Sequence, residues 1–295
     1  MKKKTIYALG FFDGVHLGHQ ALLRACRELA DRYNCRAGAV TFTTHPDALV
    51  SGAAPKLINT PEDRKRLLRH YGMDEVVELP FDRAMMTMPW QDFFCLLVKK
   101  YGAAGLVCGQ DFRFGNRGEG NAALLQQECQ ERSIPCTVVP EQKVDGITVS
   151  STYIRSLLET GEMERAVRFL GHPHILTGTV VSGKHIGSTI GVPTANLVLP
   201  EAVVQPKLGV YACKAAARGQ THLAVTNIGS RPTVGGHHVT VEPWLLDFAG
   251  DLYGRELTLS FYAFLRPEKK FPSLEALRSE IQKNAAQTRK LLEKT

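Results

Sequence analysis

A chain of 295 residues, 44% hydrophobic and 22% charged, holds enough apolar material for two separate cores and has the composition of an ordinary soluble globular protein. Its net charge of +7 points to anionic partners, polyphosphates as readily as nucleic acid, yet apart from Lys2-Lys3-Lys4 the basic residues are dispersed, which weakens a nucleic-acid reading. Seven cysteines without a Cys-x-x-Cys pair fit buried free thiols in a reducing compartment, and no apolar run is long enough to span a membrane, so a cytoplasmic location is expected.

The basic start mimics a signal peptide, but Asp13 interrupts the apolar run early and no small-residue cleavage site follows. Thr5-Ile6-Tyr7-Ala8-Leu9 is β-branched, aromatic and apolar, which predicts a short buried strand. Next comes Gly10-Phe11-Phe12-Asp13-Gly14-Val15-His16-Leu17-Gly18-His19, and then Leu22, Cys26, Leu29 and Tyr33 at helical spacing. The spacing predicts a helix from about Gln20 to Tyr33. The stretch is therefore a Gly-punctuated turn at a helix N-terminus. Glycine admits close backbone approach there, and the orphan N–H groups with the helix dipole attract negative charge. His16 and His19, three apart, share one face and could both reach a single phosphate. Two plainer readings stay open: a generic strand–turn–helix with satisfied histidines, and a metal site, for which no third ligand is close by. The glycine spacing fits neither the dinucleotide fingerprint nor the Walker loop.

Arg36 to Phe42 predicts a second strand, ending in Thr43-Thr44-His45-Pro46, a polar turn of the kind found at the ligand edge of a parallel sheet. Thr60-Pro61 reads as an N-cap and first helical residue opening a helix through Tyr71. A strand over Val76–Leu79, a helix over Trp90–Tyr101 and a strand over Gly105–Gly109 follow. That strand feeds the turn Gln110-Asp111-Phe112-Arg113-Phe114-Gly115. A helix over Ala122–Ser133 and a strand over Cys136–Val139 complete the alternation, which implies a parallel, doubly wound sheet. Ser150-Ser151-Thr152-Tyr153-Ile154-Arg155 then opens a helix to about Glu159. Its hydroxyls are good caps and good phosphate donors, and Arg155 sits one turn in. A plain capped helix is the bland reading of that string.

After a short helix over Glu162–Leu170, Gly171-His172-Pro173 breaks the chain and the periodicity changes. From Ile175 short strands alternate with Gly, Pro and Asn clusters, and no helix is predicted until about Ser273. That predicts a second, all-β domain, a barrel or a sandwich closed by one C-terminal helix, beginning near residue 171. Gly178 to His185 nearly matches the Walker pattern, but His185 replaces the Mg²⁺-binding hydroxyl, and Val180-Val181 favour strand. In Gly191-Val192-Pro193-Thr194-Ala195-Asn196, Thr194 and Asn196 offer neutral oxygens to a hard cation, unless the string is only a turn.

His16-Leu17-Gly18-His19 after a strand resembles the signature of the nucleotidylyltransferase superfamily, and the fuller Phe12-Asp13-Gly14-Val15-His16-Leu17-Gly18-His19-Gln20 resembles the prokaryotic bifunctional riboflavin kinase/FAD synthetase family. Ser150-Ser151-Thr152-x-x-Arg155 is similar to that family's second signature, and Gly191-x-Pro193-Thr194-Ala195-Asn196 to the riboflavin kinase motif. Gly209–Ala212, Asn227–Thr233, Leu246–Phe248, Asp251–Gly254 and Leu265–Phe271 match in order, so the resemblance covers nearly the whole chain. It implies a Rossmann-like nucleotidylyltransferase domain over 1–170 that joins FMN to the AMP moiety of ATP. It also implies a riboflavin kinase barrel over 171–295 that makes FMN from riboflavin and ATP, with Mg²⁺. His16, His19, Arg155 and Glu242, which stands at the catalytic-base position, carry the chemistry in that reading. Gly10, Phe12, Asp13, Gly14, His45, Asp111, Phe112, Ser150, Ser151 and Thr152 contact ligand in the first domain. Gly183, Lys184, Gly191, Thr194, Asn196 and Arg289 do so in the second, and Thr194 and Asn196 hold the metal. Ser188, Trp244, Thr44 and Asn284 depart from the usual pattern. The alternatives are an adenylyltransferase with a degenerate barrel, against which intact Thr194, Asn196 and Glu242 argue, and a basic nucleic-acid module, for which no Lys/Arg and aromatic stripe is visible.

Overall fold

The computed structural model describes residues 4–182, 191–233 and 236–293; Gly183, Lys184 and Ser188 lie outside them. The chain divides into two compact units, Met1–Lys56 with Pro61–Ser151 and Leu57–Thr60 with Thr152–Thr295.

The first unit is a five-stranded parallel sheet. Its strands are β1 (Thr5–Leu9), β2 (Arg36–Phe42), β3 (Glu75–Leu79), β4 (Ala103–Gly109) and β5 (Cys136–Val139), in the order β3-β2-β1-β4-β5. Every residue of β1 is buried, as expected of a central parallel strand covered on both faces. The strands alternate with α1 (Leu17–Arg32), α2 (Pro61–His70), α3 (Trp90–Cys95) and α4 (Ala122–Glu131). Two expectations shift. Helix α1 starts three residues early, because His16 caps it, and α3 passes into a π-helical turn over Leu96–Lys100 rather than continuing as α-helix to Tyr101. A small hairpin, Lys143–Val144 with Ile147–Thr148, has no counterpart in the sequence reading. Its Asp145 and Gly146 both have positive φ, the signature of a tight hairpin turn, on a run too short and polar to stand out as strand.

In the second unit, α5 (Ser151–Thr160, from Thr152 onward) and α6 (Met163–Leu170) precede six antiparallel strands. These are β6 (His174–Thr179), β7 (Leu197–Val198), β8 (Gly209–Ala217), β9 (Gln220–Thr233), β10 (Gly236–Leu245) and β11 (Glu256–Arg266), in the order β6-β11-β8-β9-β10-β7. The two end strands come close to closing the barrel: the Val181 N–H donates to the Asn196 carbonyl at 2.9 Å. Helix α7 (Leu274–Leu292) follows, capped by the Ser273 hydroxyl, which accepts from the Ala276 N–H at 3.2 Å. A proline commonly ends or edges a strand, yet Pro243 lies within β10. Its carbonyl accepts from the Ala195 N–H at 2.9 Å, and a residue's N–H and C=O point to the same side of a strand. The missing donor of Pro243 thus faces Ala195, and no bond to β9 is lost.

His174 opens β6 fully buried beside Phe261, with ring centroids 5.7 Å apart, and neither ring nitrogen has a hydrogen-bond partner among the described residues. Burial pushes its pKa down to about 3. Between that value and the ordinary one near 6.5 the unfolded chain binds a proton that the folded chain does not, so this residue's contribution to stability falls as pH drops through that window. Orphaned buried polar groups cost on the order of 1–3 kcal/mol. His174→Phe is therefore expected to raise the unfolding midpoint of the second unit at pH 7, and by a wider margin at pH 5. Urea unfolding of the full chain at both pH values checks this; an unchanged midpoint would refute it.

Candidate active sites

In the first unit the strand order reverses direction between β1 and β4, and the turns after these two strands flank a cleft of about 430 Å³ at the C-terminal edge of the sheet. The turn after β1 is strained. Phe12 and Val15 have φ of 60° and 40°, in the left-handed region that aromatic and β-branched residues avoid, and Gly14 has φ of 80°. Side chains pin it from three directions. Thr41 Oγ1 donates to the Phe11 carbonyl (2.8 Å), Ser151 Oγ to the Asp13 carbonyl (2.9 Å) and Gln20 Nε2 to the Val15 carbonyl (2.9 Å). Phe12 and Asp13, expected among the ligand contacts, are buried.

His16 occupies the N-cap of α1, where its Nδ1 accepts from the His19 N–H at 3.3 Å. A ring nitrogen that accepts carries no proton, so His16 is the Nε2–H tautomer, a donor. The His16 and His19 rings stack with centroids 3.6 Å apart, and the edge of Phe12 meets His19 at 5.2 Å. Gly18 makes room for the pair, since a Cβ there would lie 3.1 Å from the His16 ring. His19 Nδ1 is buried with no hydrogen-bond partner among the described residues. Burial, then the neighbouring His16 and Arg64, hold the His19 pKa well below the usual histidine value, so the ring is neutral at pH 7. Both histidines line the cleft, as do Gly10, Asp111, Phe112, Ser150 and Ser151. The histidine pair sits on one face as expected, but through a cap-to-backbone bond and ring stacking rather than two free side chains.

Arg64 was not singled out from the sequence. It lies fully buried under the turn, with Nη2 donating to the Phe42 carbonyl at 2.8 Å and the guanidinium 4.4 Å from the Phe11 ring centroid. Burial lowers its pKa, and Asp13 is foremost among the carboxylates that hold the charge on it. The signal was present: Arg64 shares the buried face of α2 with Leu67 and Leu68, at the three- and four-residue spacing of a core stripe. The His45 ring meets Phe11 edge-on at 4.5 Å, and its Nδ1 accepts from the Asp47 N–H. Beside the cleft, and sharing Phe42, Pro46, Phe112 and Arg113 with it, is an aromatic cavity of about 1040 Å³ that also holds Phe81, Phe93 and Phe114. Thr152 and Arg155 lie on the part of α5 that belongs to the second unit.

The second unit has a cavity of about 370 Å³ between one face of the sheet and α7. Along β10, Val241 and Leu245 are buried on the opposite face, while Glu242 and Trp244 line the cavity. Thr240 Oγ1 donates to Glu242 Oε1 at 3.1 Å, and Asn227 on β9 stands opposite Glu242 in register. The bond from the Ala195 N–H to Pro243 holds the Pro193–Asn196 turn against β10, and Thr194 lines the same cavity. Asn196 is buried, and Gly191 is exposed with φ of 72°. Arg289, expected among the ligand contacts, donates from Nη2 to both carboxylate oxygens of Asp247, at 2.9 and 2.7 Å. Arg266, Asn284 and the α7 side chains Leu277 and Ile281 also line this cavity. Among the described residues no cluster of three or more His, Cys, Asp or Glu is placed to hold a metal ion, and no helix is long and apolar enough to cross a membrane.

Two family models match the chain, FAD synthetase over residues 1–153 and riboflavin kinase over residues 170–292. The chain is 34% identical over 287 residues to a bifunctional riboflavin kinase/FMN adenylyltransferase of Listeria monocytogenes, covering 96% of this chain and 91% of that one. It is 37% identical to the protein of the same name from Escherichia coli, covering 94% and 89% of the two chains. A solved structure described as a macrolide-efflux protein from Streptococcus pneumoniae shares the fold, with a TM-score of 0.88 and 29% identity over 98% of this chain and 95% of that one.

Proposed function

The chain belongs to the bifunctional riboflavin kinase/FMN adenylyltransferase family, and we propose that its residues divide the two reactions between the two sites just described. It is an enzyme of flavin cofactor biosynthesis that phosphorylates riboflavin with ATP and then adenylylates FMN with a second ATP.

In the first unit the FMN phosphate oxygen attacks the α-phosphorus of ATP, the bond to the bridging oxygen breaks, and pyrophosphate leaves. Two polyanions meet, so the site has to supply donors rather than a nucleophile. The Nε2–H of His16, the His19 ring and the N-terminus of α1 supply them along the cleft. Ser150 and Ser151 line the same cleft, and the aromatic cavity beside it suits the flavin ring through Phe112 and its stacked neighbour Phe114, whose centroids lie 5.4 Å apart. Thr152 and Arg155 are proposed for the phosphates on the likeness of Ser150–Arg155 to the family's second signature alone.

In the second unit the terminal ribityl hydroxyl attacks the γ-phosphorus, Glu242 takes its proton, and ADP leaves. Thr194 and Asn196 offer neutral oxygen donors, which with nucleotide phosphates suit Mg²⁺, a cation that keeps waters and few protein ligands. When bound it neutralises charge on the phosphates. Gly183, Lys184 and Gly191 are proposed for the nucleotide. The boundary between the activities is proposed near residue 171, and the location as cytoplasmic.

The observation that carries this division is that each unit has its own cleft with its own reactive side chains, His16 and His19 in one, Glu242 and Thr194 in the other. Incubation with riboflavin, ATP and Mg²⁺, followed by chromatography of the flavins, is expected to show FMN rising first and FAD after it. Chelation with EDTA is expected to stop both steps. FAD without riboflavin consumption, or turnover of neither flavin, would overturn the reading.

A further inference from the structure

Helix α7 faces the cavity with Leu277, Ile281 and Asn284, successive positions of one helical stripe. Asn284 is the polar break in that stripe and is only 4% exposed. Its Oδ1 accepts from Arg266 Nε at 3.1 Å. A guanidinium donates and never accepts, so this bond fixes which end of the amide faces Arg266. The two Nδ2 protons must point away from it, and the described residues supply no acceptor for them. Arg266 is itself held. Its Nη1 donates to the Pro267 carbonyl at 3.1 Å, the guanidinium lies 5.5 Å from the Phe271 ring centroid, and Glu280 stands 3.5 Å from Nε. The amide is thus clamped, with a donor left over at the wall of a cavity that Glu242 also lines.

Resting on the proposed role of Glu242 beside the ribityl hydroxyl, we propose that Asn284, oriented by Arg266, is the residue that reads a carbonyl oxygen on the pyrimidine edge of the flavin ring. The ring carbonyls are acceptors that need a donor once desolvated. A cavity of about 370 Å³ lies in the range of small-molecule sites, and its Leu277, Ile281 and Trp244 offer apolar surface for the ring. Adenine carries no carbonyl, so the contact discriminates the flavin and not the nucleotide. Arg266 acts here as a positioning residue.

Three measurements on the full chain test this. In the parent protein, 2-thio- or 4-thioriboflavin should bind about tenfold more weakly than riboflavin, because sulfur is a poor acceptor. Binding is read directly by quenching of Trp244 in a Trp90→Phe background, which leaves Trp244 as the sole tryptophan. Asn284→Asp turns the cavity-facing donor into an acceptor. It should weaken riboflavin by about tenfold or more, leave the ATP KM unchanged and abolish the thio discrimination. Far-ultraviolet circular dichroism and a urea unfolding midpoint matching the parent's report that the second unit of the variant is folded. Equal binding of riboflavin and both thio analogues by the parent protein would overturn the proposal whether or not the variant folds. An Asn284→Asp effect on the ATP KM with riboflavin binding intact would overturn it too. If the parent protein phosphorylates no flavin at all, it is the assignment of the kinase that has failed.

Discussion

His19→Ala is expected to stop conversion of FMN to FAD while riboflavin is still converted to FMN, so that FMN accumulates. His19 is neutral, lines the cleft at the switch point and presents a ring whose Nδ1 has no partner among the described residues. Removing one preorganised donor to a developing phosphate charge typically costs about 10²–10³-fold in rate. The lesion should stay local, because each unit has its own core. Stacking against His16 is lost as well, but the cap on α1 survives, since His16 accepts from the backbone N–H of residue 19 and not from its ring. Far-ultraviolet circular dichroism should therefore match the parent. Chromatography of flavins from riboflavin-fed and FMN-fed reactions separates the two steps. An equal fall in both, in a correctly folded variant, would show that His19 does not belong to a separate adenylylation site.

What could be read from the sequence were the places where local pattern and tertiary role agree. Cys136–Val139 forms a strand over those very residues, and β2 and the start of α2 fall where strand composition and the Thr60-Pro61 signal put them. The turn at Gly10–His19 was legible because glycine and histidine at a strand–helix junction have few structural uses. Its internal wiring was not. That Ser151, far along the chain, pins the Asp13 carbonyl is a long-range bond with no local trace. Arg64 was missed for the opposite reason: a charged residue on an apolar helical stripe reads as solvated until burial shows that it is not. The partner of Arg289 was not legible either: its guanidinium meets the exposed carboxylate of Asp247, far back in the chain, a pairing with no local trace. Likewise a proline commonly marks a strand end, and only the direction of the Pro243 carbonyl reveals why β10 runs on.

Glu242→Gln should cut riboflavin phosphorylation by about 10²–10⁴-fold, the usual cost of removing a general base. Glu242 lies in mid-strand on β10, opposite Asn227, so its backbone is fixed and the substitution leaves the ladder intact. Glutamine keeps the size of the side chain, and its carbonyl can still accept from Thr240 Oγ1, which donates to Glu242 Oε1 at 3.1 Å in the parent. What it cannot do is take up a proton. The expected signature is a collapse in kcat with riboflavin and ATP binding nearly unchanged, and undiminished FAD formation from supplied FMN. The split matters: a structural role for Glu242 would move binding and the unfolding midpoint together with kcat, whereas a base moves kcat alone. Kinase turnover within a few-fold of the parent would remove Glu242 from the mechanism. Asp247 and Asp251 would then be the nearest acidic candidates in sequence, but Asp247 is paired with Arg289 and Asp251 Oδ1 accepts from the Tyr253 N–H at 2.8 Å. Neither lines the cavity that Glu242 shares with Thr194; Glu268 does, and it would then be the base to test.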